Sequence, residues 1–228
     1  MSRLCIIPAR GGSKRIPRKN IRPFLGKPII AYSIEAALAS GLFDEVMVST
    51  DDEEIAEVAR SFGASVPFLR SAATADDFAT TMDVLAEVHA RYATAFEQAC
   101  CIYATAPFVS AELLRRAAAR LDETGGDCVF PVLRYGFPVQ RALRMAGDGG
   151  VSLLRPEYLN SRSQDLEPSF HDCGMFYFYR PETVLSKGKI WTDASYGVEV
   201  GETAAHDIDT PEDWKMAELK YKFLHDLP

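Results

Sequence analysis

Short apolar runs alternate with amphipathic helical patterns over the first two-thirds of the 228-residue chain, and this order constrains the fold more than any other feature. Such alternation is typical of βαβ units, in which helices connect parallel strands and cover both faces of the sheet. We therefore predict an α/β fold with a mostly parallel sheet and helices on both faces. The predicted strands are residues 4–9, 45–49, 66–69, 100–103, 127–133 and 176–179.

Capping signals locate helices between and after these strands. Asp51 and Glu54 have the spacing of a capping box, and Thr210 followed by Pro211 is typical of a helix start. Gly41 has the position of a helix stop. The sequence predicts helices over residues 27–40, from 51 to 63, over 80–95, over 110–121 and from 210 onwards.

The length and the absence of linker-like composition predict one domain over residues 1–228. The alternation stops after the run 127–133. Residues 136–170 contain a glycine-rich turn, 147–150, between two apolar stretches, which predicts a β-hairpin excursion. Such a ribbon can serve as a lid or a dimer arm, and a homodimer is therefore expected.

Composition excludes several classes of protein. No run approaches the ~18 consecutive apolar residues of a membrane span, so no membrane association is expected. The net charge of −7 argues against a nucleic-acid partner. Five cysteines without a CxxC spacing indicate small core residues in a reducing compartment, and hence a cytoplasmic protein.

Positive charge is concentrated in the first 34 residues, which hold eight Lys or Arg and no Asp or Glu. Within them, Gly11 and Gly12 follow the first predicted strand, where open α/β sheets bind ligands. Glycines let backbone amides approach phosphate oxygens closely. The basic side chains of this loop could neutralise a triphosphate; they are Arg10, Lys14, Arg15 and Lys19. Alternatively, the loop is a solvated basic turn. We predict phosphate binding, although the loop is neither a Walker loop nor GxGxxG.

Asp207 and Asp209 are two residues apart, so on an extended strand both carboxylates would project from one face. Two such carboxylates could share a Mg²⁺ ion, which prefers oxygen ligands, waters and phosphates. Alternatively, Asp209 only favours the N-terminus of the helix that follows Thr210. The spacing alone leaves both readings open.

The run from Ile7 to Ile21 resembles the opening signature of the CMP-sialic acid synthetases, the acylneuraminate cytidylyltransferases. Matching residues also occur at 26–28, 49–51, 162–166, 171–174 and 207–213, so the resemblance spans nearly the whole chain. It implies a Rossmann-like nucleotidyltransferase fold that uses CTP, an acidic nine-carbon sugar and Mg²⁺ held by Asp207 and Asp209. The resemblance and the loop together imply two sets of residues. The expected nucleotide contacts are Ala9, Arg10, Gly11, Gly12, Ser13, Asn20 and Arg70. The residues expected to neutralise charge during catalysis are Arg10, Lys14 and Lys19.

The sugar side departs from the sialic acid pattern, because Tyr103 stands where typical members have Gln and only Thr105 and Pro107 persist. Residues 104–108, 137–143 and 162–166 instead resemble the pseudaminic acid branch, apart from Met175, where that branch would have Gln. The expected sugar contacts are Tyr103, Thr105, Arg141, Arg162, Gln164 and His171. The two arginines would pair with the sugar carboxylate; otherwise they form surface ion pairs, and His171 is otherwise structural.

The predicted function is transfer of CMP from CTP to the anomeric hydroxyl of a nonulosonic acid, with pseudaminic acid preferred and pyrophosphate released. One alternative is a cytidylyltransferase for N-acetylneuraminic or legionaminic acid. Another, of a different class, is a nucleotide-binding sensor without turnover.

Overall fold

The computed structural model describes residues 1–93 and 95–228. Within them, strands β1 to β11 are Arg3–Pro8, Pro23–Phe24, Lys27–Pro28, Glu45–Ser49, Gln98–Ile102, Cys128–Arg134, Leu143–Met145, Val151–Leu153, Phe170–Asp172, Phe176–Tyr179 and Ser195–Val200. Helices α1 to α7 are Ile29–Ser40, Glu53–Ser61, Ala72–Ala75, Thr81–Arg91, Ala111–Thr124, Pro181–Lys187 and Pro211–Leu224. No helix in these described residues is long and apolar enough to cross a membrane.

The main sheet has the strand order β11-β6-β10-β5-β1-β4, with β9 paired to β6. Strands β4, β1 and β5 are parallel neighbours, and β11 is parallel to β6, whereas β10 runs antiparallel to both β5 and β6. The prediction of a mostly parallel sheet is confirmed. The antiparallel strand β10 lies in the middle of that sheet.

Alternating side chains of the strands supply two separate cores. Cys5 and Ile7 of β1 pack on the face covered by α1, α2, α5 and α7, while Leu4 and Ile6 pack on the face covered by α4 and α6. Because successive strand residues point to opposite faces, strands buried on both sides read as continuous apolar runs. The prediction of helices on both faces is therefore confirmed, and all five cysteines are free and buried.

Several predicted helix ends are those observed, whereas α1 begins at Ile29 rather than at 27 and α5 ends at Thr124 rather than at 121. The side chains of Ser110 and Thr210 cap α5 and α7, and α1 ends with Gly41 in the left-handed conformation (φ 65°). Helix α4 begins after its cap, Thr80, but ends at Arg91 rather than at 95. Thr94, inside that predicted range, lies outside the described residues.

Two local predictions are wrong. The cap of α2 is Asp52, which accepts from the Ile55 amide, whereas Asp51 accepts a hydrogen bond from the Gly11 amide. Residues 66–69 form no strand, because the chain pairs with β4 only at Ser65 and then leaves the sheet edge. Pro67 has no amide hydrogen to continue such a ladder.

The segment 136–170 contains the predicted hairpin, formed by β7 and β8. After it, β9 and β10 both pair antiparallel with β6, at Val132–Arg134 and at Cys128–Val129 respectively. They thus follow one line along β6, interrupted by residues 173–175. Gly174, at the centre of the interruption, has φ +60°, a conformation that favours glycine.

Candidate functional site

The carboxyl ends of β1 and β5 open into a cavity of about 400 Å³. This is the edge at which parallel α/β sheets bind ligands. Eleven of the residues predicted from sequence line the cavity: Arg10, Ser13, Lys14, Arg15, Lys19, Asn20, Arg70, Tyr103, Thr105, Asp207 and Asp209. Two distant parts of the chain, the basic loop and the acidic pair, therefore meet at one site.

The loop after β1 is fixed by backbone contacts. The Ala9 amide donates to the Ser49 carbonyl (2.9 Å), the Gly11 amide to Asp51 (3.0 Å), and the Asn20 side-chain amide to the Arg10 carbonyl (2.8 Å). A Cβ on Gly11 would lie 2.7 Å from an oxygen of Asp52, so no larger residue fits there without movement. A Cβ on Gly12 would meet no atom within 4 Å.

These contacts refine the predicted nucleotide contacts. Ala9 is buried and its amide is used by the sheet, and the Gly11 amide is used by Asp51. Neither amide is free to bind a phosphate in this conformation. The open side of the loop is instead formed by Gly12 and the basic side chains.

Every basic side chain of the loop faces a carboxylate. Arg10 contacts Asp77 at 2.7 Å, and Lys14 pairs with the same carboxylate. Arg15 contacts Asp209 at 2.9 Å and Lys19 contacts it at 3.5 Å. A second group of contacts, Arg18 with Asp52 and Glu54, anchors the loop to α2.

Arg70 lies at the floor of the cavity and is 8% exposed. Its Nε donates to the Ser49 hydroxyl at 3.2 Å, and its guanidinium also donates to the Ser49 carbonyl. Burial lowers the pKa of Arg70, but an arginine remains charged at neutral pH. The site thus holds a buried cation that no carboxylate contacts directly among the described residues.

Asp207 and Asp209 lie in a segment without assigned strand structure, rather than on the expected strand. The pKa of Asp207 is raised, first because neighbouring atoms remove water from its carboxylate and second because Asp209 adds negative charge. Lys19 opposes this effect and also donates to the Ile208 carbonyl at 2.7 Å. Two close carboxylates, one of them with a raised pKa, form an oxygen donor set that fits a divalent cation.

No cluster of three or more His, Cys, Asp or Glu that could hold a metal occurs in residues 1–93 and 95–228. A cation on Asp207 and Asp209 would therefore need waters or ligand phosphates as its other ligands. Mg²⁺ is commonly bound in this way, with one or two carboxylates. The donor set fits a Mg²⁺ ion bound together with a nucleotide.

On another wall of the cavity, the Tyr103 hydroxyl lies 3.2 Å from the Thr81 hydroxyl. Burial raises the pKa of Tyr103. The Tyr103 ring meets the Tyr177 ring edge-on, with centroids 5.8 Å apart. This wall is therefore formed by a neutral phenol held between a helix and the central antiparallel strand.

The remaining predicted sugar contacts do not line the cavity. Arg162 pairs with Asp165 at 2.7 Å on the surface, and Arg141 lies 3.4 Å from the Ser163 hydroxyl. Gln164 lines a different depression beside the hairpin segment. His171 packs against Tyr135, with ring centroids 4.8 Å apart. These four residues lie in or next to the segment 136–170, apart from the basic loop.

The family model described as Cytidylyltransferase matches residues 4–162, more than half of the chain. The chain belongs to the cytidylyltransferase family. It is a CTP-using nucleotidyltransferase.

Full-length relatives of this cytidylyltransferase are known. It is 42% identical over 229 residues to the pseudaminic acid cytidylyltransferase of Campylobacter jejuni subsp. jejuni serotype O:2, covering 99% of each chain. It is 33% identical to the CMP-N,N'-diacetyllegionaminic acid synthase of Legionella pneumophila, covering 94% of each. Against the N-acylneuraminate cytidylyltransferase A of Danio rerio it is 35% identical and spans 50% of the relative's length.

Among solved structures, a CMP:2-keto-3-deoxy-manno-octonic acid synthetase complexed with CTP matches with a TM-score of 0.71 at 18% identity, covering 100% of both chains. The 4-diphosphocytidyl-2C-methyl-D-erythritol synthase of Anaerococcus prevotii matches with a TM-score of 0.67 at 14% identity, covering 97% of this chain and 98% of that one. At these identities the matches establish the fold, and they confirm the predicted Rossmann-like nucleotidyltransferase architecture.

Sequence reasoning missed several residues of the cytidylyltransferase site. Asp77 contacts the basic loop, and Thr81 and Gly174 line the cavity. In the sequence, Asp76 and Asp77 indicate a helix start or, alternatively, a lining of the ribose pocket; neither interpretation includes a contact with the loop, which is more than 60 residues away along the chain. Gly174 carried a usable signal, since a glycine between two apolar strand segments marks an interruption.

Proposed function

We propose that this cytidylyltransferase transfers CMP from CTP to the anomeric hydroxyl of a nonulosonic acid, with pseudaminic acid as the preferred acceptor. The observation that carries the proposal is that one cavity combines a glycine-containing basic loop with the pair Asp207 and Asp209. The choice of acceptor is supported by the 42% identity to the relative from Campylobacter jejuni, against 33% for the legionaminic acid relative.

In the proposed reaction, the anomeric oxygen of the acid forms a bond to the α-phosphorus of CTP. The bond from that phosphorus to the bridging oxygen breaks, pyrophosphate leaves, and the hydroxyl proton passes to solvent. Arg10, Lys14 and Lys19 bind the phosphates and neutralise the charge that develops on them. Arg70 and Asn20 contact the nucleoside part. Catalysis in this scheme consists of positioning and charge neutralisation.

Asp207 and Asp209 would hold Mg²⁺ when the nucleotide is bound. When bound, the ion would supply Lewis acidity toward phosphoryl oxygens. This role is supported by the donor set, because a cation would offset both the burial and the neighbouring Asp209 charge that raise the pKa of Asp207. It also requires Asp209 to exchange its contacts with Arg15 and Lys19, whose side chains are then available to phosphate oxygens.

The acceptor is proposed to lie against Tyr103 and Thr105, which line the cavity. Arg141, Arg162, Gln164 and His171 remain proposed contacts for its carboxylate and substituents. Since they lie away from this cavity, they would have to approach it by movement of segment 136–170 or from a second copy of the chain. We propose a homodimer in which this segment is the arm, and a cytoplasmic location consistent with five free thiols.

The test is pyrophosphate release with CTP and Mg²⁺, measured against free pseudaminic, legionaminic and N-acetylneuraminic acids. The proposal expects the highest kcat/KM with pseudaminic acid. A preference for another of these acids would retain the reaction and change the acceptor. Binding of CTP without pyrophosphate release for any acid would contradict the enzyme and favour a nucleotide sensor.

A further inference from the structure

Asp172, at the end of β9, lies behind the cavity wall and is not among the residues that line the cavity. Its two carboxylate oxygens serve different partners. One accepts a hydrogen bond from the Gly174 amide at 3.0 Å, and the other accepts from the Tyr177 hydroxyl. One half-buried carboxylate thus joins the turn between β9 and β10 to a buried side chain of β10.

Both partners of Asp172, Gly174 and Tyr177, connect it to residues that line the cavity. The Tyr177 ring packs edge-on against Tyr103, whose hydroxyl lies beside Thr81. The Tyr103 amide also donates to the Met175 carbonyl at 2.9 Å, so the same turn contacts the backbone of Tyr103. The acceptor wall is therefore fixed from two directions.

The other partner of Asp172, Gly174, lies beside the acidic pair Asp207 and Asp209. Gly174 lines the cavity, and a Cβ added to it would lie 3.5 Å from the carboxyl carbon of Asp207. Its φ of +60° is stabilised by the hydrogen bond from its amide to Asp172. This turn thus lies directly against the proposed cation ligands.

We propose that Asp172 is a positioning residue that holds Tyr103, through Tyr177, in the orientation that receives the sugar acid. The inference rests on the proposed function, because it assumes that Tyr103 faces the acceptor. It does not make Asp172 a catalytic residue, since other atoms separate it from the cavity. Burial raises the pKa of Tyr177, so this tyrosine remains a hydrogen-bond donor throughout the working pH range.

The test compares Asp172→Asn, Tyr177→Phe and the double variant with wild type, using separate KM values for CTP and for the acceptor acid. Tyr177→Phe removes this hydrogen bond, and Asp172→Asn weakens it by replacing the charged acceptor with a neutral amide; both variants nearly preserve shape. The acceptor KM should rise about tenfold in each, and the CTP KM should stay within about twofold. Because both residues act through one contact, the double variant should raise the acceptor KM no more than the more damaging of the two single variants does.

Tyr179→Phe is the matched control. Tyr179 is on the same strand and packs in the same core as Tyr177, but its hydroxyl contacts His89 at 2.9 Å instead of Asp172. This variant should lower the melting temperature without changing either KM. If Asp172→Asn fails to fold, Tyr177→Phe, which loses only one oxygen atom, still decides the question.

An unchanged acceptor KM in Tyr177→Phe would overturn the inference, as would an equal rise of the acceptor KM in Tyr179→Phe. A parallel rise of both KM values would also overturn it, by assigning Asp172 a general structural role. Failure of the proposed function is recognised separately, by wild-type protein that releases no pyrophosphate with any acid. That result would overturn the inference together with the function.

Discussion

At the scale of single residues, Asp209 faces both Arg15 and Lys19 across the cavity. Asp209→Asn should reduce pyrophosphate release by about a hundredfold or more, since it removes a proposed ligand of the cation. The expected loss of stability is below about 1 kcal/mol, because the side chain is 41% exposed. Steady-state kinetics and thermal unfolding measure the two effects.

Asp122→Asn is the matched control for this variant. Asp122 also pairs with an arginine, Arg3, and is 39% exposed, but it lies near the start of β1, away from the cavity. It should lose a similar small amount of stability and no activity. Near-normal turnover in Asp209→Asn would remove the metal role from this residue.

Asp207 predicts a pH dependence of stability. The pKa of its carboxyl is raised in the folded protein. In the absence of metal, the free energy of unfolding therefore falls as pH rises above the pKa of the unfolded state, and the full loss is reached above the pKa of the folded state. Asp207 is exposed by its surface area although part of its carboxylate is shielded, so Asp207→Asn should stabilise the protein at pH 7 in EDTA by less than about 1 kcal/mol. The difference should vanish below about pH 3.9, the ordinary carboxyl pKa.

Denaturant unfolding at the two pH values measures this difference. Mg²⁺ with CTP should stabilise the wild type more than Asp207→Asn. A variant less stable than wild type at pH 7 without metal would show that Asp207 makes a favourable contact instead.

At the scale of elements, the segment between α3 and α4 brings Asp77 against Arg10 and Lys14. These contacts lower the pKa of Asp77, and in the proposed binding mode this carboxylate would compete with a phosphate for Arg10 and Lys14. Asp77→Asn should lower the KM for CTP roughly two- to fivefold at low salt, because exposed ion pairs are weak. The gain should shrink as salt screens the charges.

Steady-state kinetics at two ionic strengths measure this effect, again with Asp122→Asn as the control. A higher KM for CTP in Asp77→Asn would mean that this carboxylate holds the loop in its binding conformation. The interpretation that Asp77 competes with a phosphate for Arg10 and Lys14 would then be wrong.

Elements with local signals could be predicted from sequence. Ser110, Thr210 and Gly41 act on amides or carbonyls within a few residues, so the ends of their helices were predictable. Strand β11 was missed, although Tyr196 and Val198 alternate with small or polar residues, because it lies at the sheet edge and is half exposed. The Asp77 contacts depend on tertiary structure and left no local pattern.

The residues of the site likewise divide into those with a local sequence signal and those whose position depends on tertiary structure. The loop around Gly11 and the pair Asp207 and Asp209 carry dense local patterns, and the fold brings them into one cavity. The positions of Arg162 and His171 depend on how a long excursion folds, which composition does not specify. Asp172 likewise gained its role only from partners on another strand segment.

At the scale of the whole molecule, the hairpin of β7 and β8 exposes apolar side chains on the arm. Leu143 is 60%, Met145 75% and Val151 64% exposed. Clustered exposed apolar residues are typical of protein interfaces, which supports a second copy of the chain as the partner. Leu143→Asp with Met145→Asp should therefore convert a dimer into a folded monomer, detected by light scattering coupled to size-exclusion chromatography.

Phe223→Asp, at a residue that is 73% exposed on α7, is the control and should leave the dimer intact. The basic loop and its cavity lie within one chain, so the monomer should still bind CTP with nearly unchanged affinity. The acceptor KM should rise, because Arg162 and its neighbours would no longer reach a partner's cavity. A monomeric wild type would contradict the dimer, and a monomeric variant with unchanged acceptor KM would show that the arm completes its own chain's site.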